Sequence, residues 1–311
     1  MSKSKVWYVT GASRGFGLSL VKQLLVAGYR VAATSRNLDS LTKAVGDAAH
    51  EASPEASVGG SPGASAKSSP AAAAKDSAGE TTSRFLPLEV DLTSSDAIRR
   101  SIEKTVETFG TIDVVVNNAG YGLDGTVEEL DEKTMRDIFE INVFATITVT
   151  KFALPYLRKQ RSGHIINMAS VAGFVGAPGW SIYSATKAAV IAFSEVLALD
   201  VQALGIRVTA VGPSVFRTDF LSGSSLVTIE THIEDYRTVK ETQARYASMN
   251  GKEGGDPEKA AAVFIQLAED AEPPLHLWLG ANAIDRAGAK IRSMGEELNK
   301  WKDLSISADF K

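Results

Sequence analysis

Short apolar runs recur along this chain, and none of them alternates apolar with polar residues. They are Val6–Val9, Val31–Thr34, Phe85–Val90 (leading to Asp91), Ile112–Val116, His164–Met168, Arg207–Val211 and Leu275–Leu279. A strand that shows one face to water must alternate, whereas a strand covered on both faces has no polar side to present. Between the runs lie stretches with helical spacing: Leu18–Ala27 closed by Gly28, Ala97–Phe109 stopped by Gly110, roughly 134–158 and 181–204, and Ala260–Ala268. This rhythm predicts an α/β chain: a doubly wound parallel sheet with helices on both faces, three αβα layers in all. At 311 residues the chain is expected to form a single domain, since α/β folds run to about 250 residues as one unit before insertions.

Three segments depart from the rhythm. Between Gly46 and Ser83, 27 of 38 residues are Ala, Ser, Gly or Pro. Such a composition offers few large apolar groups to offset ordering entropy, so 46–83 is expected to be a disordered surface insertion, with a protein-docking arm as the alternative. Residues 221–256 mix polar residues with Tyr236, Tyr246 and Met249, and a lid over a substrate is expected there. The last stretch, 281–311, is a helical extension with Ile284, Ala287, Ile291, Met294 and Leu298 at roughly helical spacing, suited to core or interface packing rather than to a ligand site.

Charge and residue inventory exclude several classes. Thirty-three Lys and Arg against 37 Asp and Glu leave a formal charge of −4, so no positive field draws in nucleic acid or an anionic membrane. Cys is absent, which removes disulfides, thiolate metal sites and Cys nucleophiles. Four His residues stand at no metal-ligand spacing, and no metal is expected. The N-terminus carries too short an apolar run for a secretory h-region, and no run was expected to be long enough to span a bilayer. A cytoplasmic location follows as the expectation.

Directly after the first run stands Thr10-Gly-Ala-Ser-Arg-Gly-Phe-Gly17, and a helix follows at once. Glycines at 11, 15 and 17 permit a tight turn and a close backbone approach to a pyrophosphate lying at a helix N-terminus. A free ribose 2′-hydroxyl would be read by a carboxylate at the end of the second strand, but Thr34, Ser35 and Arg36 occupy that place. Arg36 with Arg14 can hold a 2′-phosphate instead, which favours NADP(H).

Tyr183 and Lys187 are four apart on an expected helix, so both project from one face. An ammonium beside a phenol stabilises tyrosinate and moves the hydroxyl toward the range in which it exchanges protons. Ser170, just past the fifth strand, can give a substrate oxygen a second hydrogen bond. Tyr-x-x-x-Lys by itself recurs by chance roughly once in two chains of this size. The ordered set is far more specific: the glycine turn, Asn117-Asn-Ala-Gly120, Asn142, Ser170, then Tyr183 with Lys187.

That set resembles the classical short-chain dehydrogenase/reductase family over essentially the whole chain outside the insertion and the far C-terminus. The resemblance implies a Rossmann-like fold, with Tyr183 as proton donor and acceptor and Ser170 as polariser of the carbonyl. It further implies that Lys187 lowers the Tyr pKa and holds the nicotinamide ribose, while Asn142 anchors a water of the proton relay. For the cofactor it implies a cradle of Gly11, Ser13, Arg14, Gly15, Phe16 and Gly17, with Ser35 and Arg36 at the 2′-position and Asp91 and Leu92 at the adenine. Asn118, Ala119 and Gly120 would line the cleft, and Pro213, Val215 and Thr218 would reach the nicotinamide. Where the family usually has Pro-Gly after the sixth strand, this chain has Pro213-Ser214, which puts the local backbone path in question because Ser tolerates positive φ less readily than Gly.

The implied activity is NADP(H)-dependent exchange between a carbonyl and a secondary alcohol on an apolar small molecule, Phe174, Val175, Trp180, Tyr121 and Phe216 being near the reacting residues. The alternatives are a non-redox NADP(H)-binding sensor or scaffold, and an epimerase or dehydratase with a tightly held nucleotide. The resemblance also implies a homodimer or homotetramer built through the long helices that precede and contain Tyr183.

Overall fold

A computed structural model describes residues 4–51, 73–75, 81–222 and 225–310. In chain order the elements are β1 (Val6–Val9), α1 (Gly15–Val26), β2 (Arg30–Ser35), α2 (Leu38–Glu51), β3 (Ala73–Lys75), β4 (Thr81–Ser83), β5 (Phe85–Glu89), α3 (Ser95–Phe109), β6 (Val114–Asn117) and β7 (Gly122–Asp124). There follow α4 (Glu132–Phe139), a π turn (Glu140–Phe144), α5 (Ala145–Gln160), β8 (Gly163–Met168), α6 (Ser181–Val201) and β9 (Ile206–Pro213). The chain closes with β10 (Leu226–Thr228), α7 (Arg237–Met249), α8 (Pro257–Glu269), β11 (His276–Leu279) and α9 (Ala281–Ile306).

Seven strands form one sheet in the order β11-β9-β8-β6-β1-β2-β5, every neighbouring pair parallel. The order reverses between β1 and β6, and a crevice opens at such a switch point beyond the carboxyl ends of the strands. The fold is a Rossmann-like, doubly wound α/β sandwich in one domain. Consecutive residues of β1 explain the missing alternation. Trp7 and Val9 enter one core with Leu20, Val21 and Leu24 of α1 and Phe264 of α8, while Val6 and Tyr8 enter the other with Ile98 and Ile102 of α3, Val149 and Leu157 of α5 and Leu197 of α6. Each strand residue therefore has an apolar partner, whichever face it takes.

The helix ends follow local chemistry. The Ser94 hydroxyl accepts the Ala97 N–H at the start of α3, which ends at Gly110 with φ 82°; Asp256 caps α8, with Pro257 in its first turn. Helix α2 carries on into the first residues of the 46–83 segment, β3 and β4 pair antiparallel within it, and the rest of that expected insertion lies outside the described residues. The absence of a bilayer-length apolar run is corrected: the helical stretches Glu132–Gln160 and Ser181–Leu204 are long and apolar enough by length and composition. The apolar residues of α5 and α6 that enter the second core supply much of that hydropathy.

Candidate active site

The turn after β1 is held from across the switch point. Thr10 Oγ1 accepts the backbone N–H groups of Asn118 (3.0 Å) and Ala119 (3.1 Å), and the Asn118 side-chain amide donates to the carbonyls of Thr10 (2.9 Å) and Gly11 (3.0 Å). Gly11 and Gly15 have φ of 65° and 53°, a region that favours glycine. A Cβ on Gly11 would meet the Ala119 Cα at 2.8 Å. Helix α1 starts without a side-chain cap and without an acidic residue in its first turn. Its first-turn N–H groups and positive dipole end suit an anion placed over the turn.

A cleft of about 680 Å³ runs from this turn across the strand ends. At one end it is lined by Gly11, Ser13, Arg14, Gly15, Phe16, Ser35, Arg36, Asp91 and Leu92, in the middle by Asn118, Ala119, Gly120, Pro213, Val215 and Thr218, and at the other end by Ser170, Tyr183 and Lys187. These are the residues expected from sequence, apart from Gly17 and Asn142. Gly17 does not line the cleft: a Cβ there would lie 2.5 Å from the Gly11 carbonyl oxygen and 2.6 Å from Asn118 Nδ2, so this glycine lets α1 seat beneath the turn. Asn142 is buried behind the cleft in the π turn; its Oδ1 accepts the Tyr121 N–H and its Nδ2 donates to the Tyr121 carbonyl and to Thr186 Oγ1. Both amide protons are thus committed to holding the wall rather than facing the groove.

Asp91 and Arg36 line the cleft at the end that holds the glycine turn. Hydrogen bonds from the Thr93 backbone and hydroxyl hold the Asp91 carboxyl below the usual range, and the Arg36 charge adds to this. The path after β9 needs no glycine. Arg161 is the one non-glycine residue with positive φ among those described, so Ser214 has an ordinary backbone, and its N–H donates to the Leu279 carbonyl at 3.1 Å.

At the far end, burial dominates the titration of the pair. Tyr183 is 6% exposed, and desolvation pushes its hydroxyl up to about 12, against a lowering contribution from the Ser170 hydroxyl. Desolvation brings Lys187 down to about 8. Lys187 Nζ lies 5.8 Å from the centre of the Tyr183 ring and donates to the Met168 carbonyl at 2.8 Å. With no nucleotide in the cleft, removing both groups from water favours the neutral phenol and the neutral amine.

The wall around Tyr183 is aromatic. Trp180 packs edge-on against Tyr183 (centroids 5.4 Å apart) and also against Tyr246 (5.0 Å), while Phe220 lies 5.7 Å from Tyr183. Tyr246 comes from α7, within the expected lid, and β10 of the same segment pairs parallel with β7. Gln243 of α7 donates to Asp124 of β7 at 2.7 Å. Sequence reasoning missed Arg286 of α9, which lines the cleft and donates to the Val175 carbonyl at 2.6 Å. No local motif marks it; only the return of β11 beside β9 brings the start of α9 to this place.

Comparison with known proteins agrees with this geometry. A family model described as short chain dehydrogenase matches residues 63–226, just over half of the chain, and includes the stretch from Asn117 to Lys187. The chain belongs to the short-chain dehydrogenase family. This dehydrogenase is 33% identical over 306 residues to oxidoreductase BOA17 of Botryotinia fuckeliana, covering 98% of this chain and 99% of that protein. A short-chain dehydrogenase from Streptomyces avermitilis superposes with TM-score 0.81 at 32% identity, with both chains covered fully. A short-chain dehydrogenase/reductase from Burkholderia phymatum, solved in complex with NAD, has TM-score 0.74 at 18% identity over 94% of this chain and 95% of that one, a likeness of fold. The glycine turn lies ahead of the residues matched by the family model, and the full-length relatives extend the match across it.

Proposed function

We propose that this dehydrogenase interconverts a carbonyl and a secondary alcohol on an apolar small molecule with NADP(H). The observation that carries the reading is one continuous cleft that joins a glycine-built anion cradle to Ser170, Tyr183 and Lys187. The residues present fit a dinucleotide: the turn has no room for a Cβ at Gly11, the first turn of α1 is uncapped, and no carboxylate follows β2. When bound, NADP(H) supplies or accepts the hydride. Arg36, exposed at the end of β2, and Arg14 at the turn give a 2′-phosphate charge-assisted partners. A neighbour of the same fold carries NAD, so the choice of phosphate rests on these side chains.

Tyr183, kept as a phenol by burial, is the proton donor to a reduced carbonyl oxygen, and Ser170 gives that oxygen a second hydrogen bond. Lys187, held by the Met168 carbonyl beside the cleft, orients the ribose and stabilises the phenolate left after transfer. Asn142 and Thr186 position the Tyr121 wall. Trp180, Phe220 and Tyr246 exclude water and favour an apolar substrate, with 221–256 as its lid.

The test is NADPH oxidation across ketones and aldehydes beside NADH. Arg36→Asp is expected to shift the ratio of kcat/KM for the two nucleotides toward NADH by about tenfold to a hundredfold, the worth of one hydrogen bond to a charged group. An unchanged ratio overturns the NADP(H) assignment, and absence of turnover with either nucleotide overturns the activity.

A further inference from the structure

Helix α9 starts against the sheet and then leaves it. Its buried residues, Ala283 and Ala287, lie in the first two turns, and from Ile291 to Phe310 no described residue is buried. The exposed part nevertheless carries large apolar side chains: Ile284 and Ile291 (60% each), Met294 (47%), Leu298 (72%) and Trp301 (53%). Single exposed apolar residues are ordinary, but a contiguous stripe marks an interaction surface. The spacing is regular: Ile284, Ile291 and Leu298 are seven apart, and so are Met294 and Trp301, the repeat of a helix that packs along a seam with another helix. Helices in proteins gain most of their stability from packing an apolar face rather than from propensity.

We infer that this stripe pairs with the same stripe of a second copy of this chain, the two helices running antiparallel. With Ile291 set against Met294 of the second copy, the same register sets Ile284 against Trp301. Ile284 stands at the base of the helix yet is exposed, and the tip of an oppositely directed helix covers it. On one flank of that seam Lys290 meets Glu297 of the second copy, and two-fold symmetry repeats the pair. On the other flank Gly288 meets Gly295, where no side chain keeps the backbones apart. A parallel pair would instead set Lys290 against Gly295 and leave it without a carboxylate. Antiparallel pairing also holds the two globular bodies at opposite ends of the helix pair. This surface is separate from the long helices α5 and α6, through which the family resemblance implied association, and it does not depend on the proposed reaction.

Sedimentation velocity on the full-length chain tests it, over a range of micromolar concentrations. The wild type is expected to sediment as a multiple of the 33.0 kDa monomer, and Ile291→Glu is expected to halve the sedimenting mass, with unchanged far-UV circular dichroism because the residue is exposed. Lys290→Glu alone is expected to weaken association by about tenfold through two like-charge contacts, and the double exchange Lys290→Glu with Glu297→Lys is expected to restore it. The proposal is overturned by a monomeric wild type, by a mass that Ile291→Glu leaves unchanged, or by a double exchange no better than the single one. Co-sedimentation of a monomeric wild type with phosphatidylcholine vesicles, lost in Ile291→Glu, would assign the stripe to a lipid surface and overturn it as well.

Discussion

The two ends of the cleft are built from different material. At the nucleotide end the surface is largely main chain: glycines at positive φ, carbonyls gripped by the Asn118 amide, and uncapped N–H groups. At the substrate end the surface is side chain, gathered from Trp180 and Tyr183 around the start of α6, Phe220 after β9, Tyr246 on α7 and Arg286 on α9. A main-chain surface demands particular residues at fixed spacing, because only glycine permits the path. A side-chain surface asks only that some bulky groups converge, so many sequences can build one.

That contrast can be broken in order of effect. Tyr183→Phe removes the proton and keeps the ring that Trp180 and Phe220 pack against, so kcat is expected to fall about a hundredfold to ten-thousandfold, with the dissociation constant for NADPH unchanged in a fluorescence titration. Retained turnover would remove Tyr183 from the chemistry. Gly17→Ala is expected to act from outside the cleft: its methyl meets the Gly11 carbonyl oxygen and Asn118 Nδ2, at a cost of about 1–3 kcal/mol of overpacking. Thermal unfolding should show a lower Tm, and nucleotide affinity should drop with it; normal values in both would mean that the turn is not fixed by close packing. The smallest effect is expected from Tyr246→Ala, which trims the aromatic wall. KM for apolar ketones should rise about tenfold, the order of a removed apolar contact, while KM for the nucleotide stays the same. A change in the nucleotide constant instead would show that the two ends are not separable.

Much of the fold was legible because burial on both faces writes itself into a strand as an unbroken apolar run. The seven main strands were placed within a residue or two at most ends, as with Val6–Val9 and His164–Met168. The short β7 and β10 were not found, since three residues that pair only with each other leave no pattern. Helices α2 and α7 were also missed: α2 continues into the Ala- and Ser-rich stretch, and α7 is polar with few buried residues. Among site residues, the place of Gly17 beneath the turn was not legible, because spacing cannot tell a glycine under the turn from one facing the groove. The side-chain partners of Asn142 on Tyr121 and Thr186 were not legible either, because they exist only once α6 and the π turn meet.

The sequence by itself determined the layered parallel sheet, the glycine turn and the Ser170, Tyr183 and Lys187 constellation, because backbone sterics and two-sided burial restrict residue type locally. Tertiary structure alone decided the titration of Tyr183 and Lys187, the arrival of Arg286 at the cleft and the exposure of the α9 stripe. Desolvation and contact depend on which distant segments come together, and the local pattern of residues does not record that.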